Sequence, residues 1–179
     1  MIKLINDNFK ITSILSRAIP ADYLTASLIE QFKHKDILLW QDKNLYFPCK
    51  RLQLSYGVDL LKLLKHHIDD FNLLIINHFK DSVGSRDVID FIDTISTMKE
   101  MKDKQVILFL SADIDNPNLS DYINLQNIIN ADSDYIYRLT KHKIYKSQEN
   151  LYTLEDLRNG NYIHLKETMI KHKISLCEK

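Results

Sequence analysis

The side chains best placed for chemistry in this 179-residue sequence stand where apolar runs end. Leu73-Leu74-Ile75-Ile76 leads into Asn77 and His78, with Asp81 close behind. Val106-Ile107-Leu108-Phe109-Leu110 leads into Ser111, then Asp113 and Asp115. If both runs are strands of an open α/β sheet, their carboxyl ends border the crevice where such sheets bind ligands. Asn77, His78, Asp81, Ser111 and Asp113 would then share one polar cleft, with Asp113 as base beside His78 in a small-molecule hydrolase. Asp and Asn at strand ends also serve plain turn chemistry.

Metal chemistry finds less support. His66-His67 precede Asp69-Asp70, but adjacent helical residues point about 100° apart, so both rings cannot easily face one ion. A helix C-terminus favours His through its dipole alone. His34, His78, His142, His164 and His172 show no ligand spacing, and Cys49 and Cys177 form no C-x-x-C pair. No metal and no cofactor is expected, and the thiols read as reduced and incidental.

Charge offers a third kind of site. The 24 basic and 24 acidic residues balance, which argues against a dedicated polyanion-coating protein. The distribution is uneven. Residues 71–135 hold 5 basic and 11 acidic side chains (−6), and residues 136–179 hold 9 and 5 (+4). In the basic stretch Arg138, Lys141, Lys143, Tyr145 and Lys146 interleave cations with aromatics. That pattern suits single-stranded nucleic acid and suits a protein interface equally.

The elements that must position these residues follow from hydrophobic period. Strands are expected near Phe9–Ser16, Asp36–Trp40, Leu73–Ile76, Val106–Leu110 and Asp134–Leu139, with a short one near Leu52–Leu54. Helices are expected at Tyr23–Phe32, at Val58–Ile68, from Ser85 or Asp87 to Met98, and from about Leu119 to Ile129. Pro20 and Asp22 read as a turn and helix start, and Lys43–Arg51 as a loop around Pro48. Near-continuous β-branched runs are typical of strands covered on both faces. The fold class is therefore α/β, a mostly parallel central sheet with helices on both faces. Leu151–Leu154, Tyr162–Leu165 and Ile174–Leu176, with a turn at Asn159-Gly160, predict a small antiparallel extension. One domain is expected over 1–179, with its core at about 9–139 and the extension at about 140–179. The N-terminus lacks a signal-peptide core, and no apolar run reaches the roughly 20 residues that span a bilayer. A cytoplasmic location is expected.

This order of strands and helices resembles the RecA/KaiC-like branch of P-loop ATPases over roughly Phe9 to Leu139. Asn130-Ala131-Asp132-Ser133-Asp134-Tyr135-Ile136-Tyr137-Arg138-Leu139 is similar to that family's acid-led strand after its sensor helix. The resemblance places a phosphate loop, G-x-x-x-x-G-K-[ST], at Ala18-Ile19-Pro20-Ala21-Asp22-Tyr23-Leu24-Thr25. Ala18 and Tyr23 stand at the glycine positions and Leu24 at the lysine; Thr25 alone fits. Asn77 stands where the family carries a metal-binding acid. The whole chain has only three glycines, Gly57, Gly84 and Gly160, though phosphate cradles usually need them.

A degenerate member without Walker residues is implied. It would resemble the RecA-like subunits of the Elongator complex, the recombinase paralogues, or the NTPase-like domain of a cellulose-synthesis regulator. Such proteins act through homo- or hetero-oligomeric assembly, so the expected role is a non-catalytic scaffold or regulatory subunit. The alternatives are a nucleic-acid-binding accessory protein and an enzyme built on the strand-end cleft.

Overall fold

Strands that lie between two layers are buried along their whole length and read as mostly apolar runs, and the central strands follow this. In the computed structural model all six residues of β1 (Ile11–Ser16) and all five of β2 (Ile37–Gln41) are buried. The structure describes residues 10–16, 18–41, 45–55, 58–79, 85–111, 133–143 and 150–166. The expected helix at 119–129, the strand at 174–176 and the Pro117 loop lie outside them.

The described chain runs β1, α1 (Ala18–Gln31), β2, β3 (Lys50–Gln53), α2 (Leu60–His67), β4 (Leu73–Phe79), α3 (Ser85–Thr97), β5 (Gln105–Ser111), β6 (Tyr135–Lys143), β7 (Asn150–Asp156) and β8 (Tyr162–Lys166). Short 3-10 turns follow α2 and α3. The strands form one sheet in the order β3-β2-β4-β5-β1-β6-β7-β8. Every pair from β3 to β6 is parallel; β7 runs antiparallel to both β6 and β8. The mostly parallel core and the antiparallel C-terminal strands are thus as expected. β6 runs on to Lys143, so position 140 falls inside a strand.

The period-two alternation of β4 divides the core. Leu73 and Ile75 join a cluster with Leu24, Leu28 and Ile29 of α1. Leu74 and Ile76 join another with Leu60 and Leu64 of α2 and Phe91, Ile92 and Ile95 of α3. All four β4 side chains are fully buried, each contributing about 1.5–3 kcal/mol of transfer free energy. α2 starts where Asp59 accepts from Lys62 N at 3.0 Å, an N-cap one residue past the expected start.

Two boundaries differ from expectation. Lys50 and Arg51 belong to β3, not to a loop; on an edge strand exposed charged side chains are at home and discourage further pairing. β4 continues through Asn77 and His78 to Phe79, with an irregularity in its pairing with β5 between Ile76 and Phe79. The strand is held by backbone bonds beyond its apolar stretch.

At the other end of the core, Asp134 ties β6 to β1. Its Oδ2 accepts from Lys10 N at 2.6 Å and Ile11 N at 2.7 Å, and its own N–H donates to Ile11 O at 2.9 Å. Ser13 and Ser133 share a buried hydroxyl bond of 2.9 Å beside it. The hairpin between β7 and β8 turns at Asn159-Gly160. Asp156 accepts from Arg158 N, Asn159 N and Asn159 Nδ2 there, and Gly160 adopts φ +69°, a conformation open to glycine.

Candidate functional site

The connection from β1 to α1 decides what the strand ends can do. β1 ends at Ser16 and α1 begins at Ala18, so one residue separates them. The expected turn at Pro20 and Asp22 is absent: both lie inside α1, which runs unbroken through Ala18–Thr25. Proline is tolerated in a first helical turn because its φ suits the helix and its missing N–H would find no partner there. Without glycine, nothing in the segment favours the open backbone of an anion-cradling loop.

The side chains complete the change. Leu24 is 1% exposed and belongs to the α1 core cluster. Tyr23 packs edge-on against Tyr152, with ring centroids 5.8 Å apart. Asp22, also buried, accepts from Asn77 Nδ2 through Oδ1 at 3.0 Å. That bond joins the second turn of α1 to the carboxyl end of β4, between the positions where the family resemblance would put phosphate and metal. Asn77 is fully buried, and its amide orientation follows from the bond, since a carboxylate oxygen needs a donor.

A missed member of this node is Gln41, at the end of β2 and in register with Asn77. It is buried and donates through Nε2 to Leu45 O at 2.7 Å. The signal was legible: Ile37–Trp40 is an apolar run ended by an amide, as β4's run is. Asn77 Oδ1, Gln41 Oε1 and Thr25 Oγ1 are buried without hydrogen-bond partners among the described residues. A nucleotide with its metal does not fit this set. The lysine position is a core leucine, the loop is helix, and the strand-end side chains of β2 and β4 are uncharged amides.

The other expected site residues are described only in part. His78 lies within β4 and Ser111 ends β5; Asp81, Asp113 and Asp115 lie outside the described residues, as do Tyr145 and Lys146. Lys141 and Lys143 are in β6. Arg138 donates through Nε to Glu155 Oε2 at 3.0 Å, and its Nη2 contacts the same oxygen. Glu155 faces it directly across β6–β7. Arg138 has the opposite strand parity from Lys141 and Lys143.

The His66–His67 segment is structural in geometry. The two rings meet edge-to-face at 4.9 Å, and His67 Nδ1 lies 2.6 Å from Asp70 Oδ2. Lys50 Nζ approaches Asp70 Oδ1 at 2.7 Å. The Lys50 bond, then the His67 bond, holds the Asp70 carboxyl below its usual range. Among the described residues, no three His, Cys, Asp or Glu side chains are grouped to hold a metal. A cavity of about 540 Å³ opens beside these residues, near the amino ends of β2 and β3. Four of its charged side chains pair off, Lys33 with Glu30 at 3.2 Å and Lys50 with Asp70. Among the described residues, no helix is long and apolar enough to cross a membrane.

No protein-family model matches the chain, and no curated protein sequence does. Among solved structures it is similar to the RadB recombinase, at TM-score 0.58 and 10% identity, covering 88% of this chain and 86% of that one. The likeness is one of fold: the chain has a RecA-like fold.

Proposed function

We propose that this chain is a non-catalytic RecA-like subunit, with helices on both sheet faces and no working nucleotide site, that assembles with other proteins as a scaffold or regulator. The observation that supports this reading is the continuous helix over Ala18–Thr25, pinned by the buried Asp22–Asn77 bond of 3.0 Å. Binding phosphate there requires free backbone N–H groups, and in a helix these are spent on i→i−4 bonds after the first turn. A carboxylate at Asp22 would repel the phosphate electrostatically. What is left is an α/β core whose surfaces are its remaining means of action, and a cytoplasmic setting completes the reading.

Isothermal titration of the purified protein with Mg-ATP tests the first half of the reading, and expects no binding up to millimolar nucleotide and no phosphate release. Micromolar affinity would overturn it. Purification of the tagged protein from its native source, followed by mass spectrometry and light scattering, tests the second half. Stoichiometric partners or a homo-oligomer are expected; a solitary monomer in both experiments would sink the assembly role.

A further inference from the structure

The three unmatched oxygens of the strand-end node belong to one corner of the fold. Gln41 and Asn77 are register partners on β2 and β4. Leu39 and Ile75, two residues earlier on each strand, pack in the α1 cluster, so the pleat turns Gln41 and Asn77 toward α1 as well. The Asp22–Asn77 bond bears this out. Thr25 stands three residues beyond Asp22 on α1, on the same side of the helix. Thr25 and Asn77 are 0% exposed and Gln41 3%, so bulk water does not reach them.

Neither amide can be turned over to satisfy its oxygen. Asn77 Nδ2 donates to a carboxylate oxygen at 3.0 Å, and Gln41 Nε2 to the Leu45 carbonyl at 2.7 Å. A flip would set oxygen against oxygen. Two amide oxygens are left, and these only accept. The Thr25 hydroxyl lies mid-helix, where such groups often bond back to their own helix carbonyls. It makes no such bond, and none to either amide oxygen. The corner therefore holds two acceptors and one hydroxyl, and it is short of donors. Buried polar atoms in folded proteins are nearly all paired, and ordered water serves where protein groups do not.

We propose that this corner binds an internal water molecule. The water donates one proton to Asn77 Oδ1 and the other to Gln41 Oε1, and accepts from the Thr25 hydroxyl. Three bonds are the usual complement of a buried water. The site ties α1 to β2 and β4 together, at the place where the family resemblance would put phosphate and metal. It rests on the closed node described above and is independent of the assembly role.

Nuclear magnetic resonance on labelled protein, without nucleotide, tests the site. Paired NOE and ROE spectra should show a long-lived water at the side-chain amide protons of Asn77 and Gln41. Thr25→Val and Gln41→Met should each shorten its residence at least tenfold, whereas Thr25→Ser, which keeps the hydroxyl, should retain it. Circular dichroism melts check that the variants fold; should one fail, the wild-type spectra still decide. Absence of a long-lived water in the wild type overturns the inference. So does a water that persists unchanged in both Thr25→Val and Gln41→Met. Melting is also compared in potassium, sodium and choline chloride at one ionic strength. A dependence on the cation that Thr25→Val abolishes assigns the corner to a monovalent ion and overturns the water. Because no nucleotide is present in the spectra, micromolar Mg-ATP affinity in calorimetry would fail the nucleotide half of the reading above without touching this result.

Discussion

Replacing Asn77 with aspartate supplies the acid that the family resemblance expects at the end of β4, and the structure says it should do harm. Asn77 Nδ2 donates to Asp22 Oδ1 at 3.0 Å in a buried setting. A second carboxylate at that distance replaces a bond by a repulsion of about 5–6 kcal/mol at an effective dielectric constant of 20. The pair escapes by keeping one proton, which costs about 4 kcal/mol at pH 7 for a group of ordinary pKa near 4. The cheaper route sets the ceiling, and a proton shared between carboxylates restores part of the lost bond. Asn77→Asp should therefore destabilise the fold by about 2–4 kcal/mol at pH 7.

The sign with pH follows from the same proton. The pair's folded-state pKa is raised above its unfolded value, so the shared-proton bond is fully available below the unfolded pKa of about 4 and is lost as pH rises through the folded pKa. The deficit should shrink to under about 1 kcal/mol at pH 4. Urea unfolding followed through the single, fully buried Trp40 reads it. Swapping the pair, Asp22→Asn with Asn77→Asp, reverses donor and acceptor and should recover about 2 kcal/mol or more of coupling. A loss below about 1 kcal/mol that is equal at pH 4 and pH 7 would show that the two side chains do not meet in a buried site.

Two further outcomes follow from the same structure. Leu24→Lys restores the letter of a phosphate loop but places an ammonium at a site 1% exposed in the α1 core; it should cost more than about 3 kcal/mol in denaturant unfolding and give no thermal shift with Mg-ATP. Asp134→Ala removes a carboxylate that accepts from two backbone N–H groups. It should cost about 1.5–3 kcal/mol and speed amide exchange at Ile11 ahead of β4 amides such as Ile75.

The sheet centre was legible in the sequence because its strands are buried on both sides, so Leu73–Ile76 and Val106–Leu110 advertise themselves by composition alone. β3 was legible only in part: a short strand was expected near Leu52–Leu54, but Lys50 and Arg51 on an exposed edge give no apolar signal and are ordered by pairing with β2. The start of α1 misled for a local reason: Pro20 and Asp22 are the residues of a turn and equally those of a helix's first turns. Only the length of the link from Ser16 distinguishes the two. The node itself lay beyond local pattern. The absence of Walker residues could be read letter by letter, but the Asp22–Asn77 bond joins residues 55 apart in sequence. Gln41 joins the node through strand register. Arg138 looked like an available cation because its partner, Glu155, sits on the next strand.

The place of β1 in the sheet also bears on how the protein is made. Among the described residues β1 pairs with β5 and β6, so its backbone edges have no strand partner until Gln105–Ser111 has been synthesised. At common elongation rates the interval from Ser16 to Gln105 lasts on the order of 5–20 s. For that time an apolar strand with two bare edges is exposed to every other nascent chain. A hold on translation, or a chaperone that covers β1, would bear directly on yield. Destabilising β6 should show first as aggregation during synthesis, before any change in the finished protein's stability.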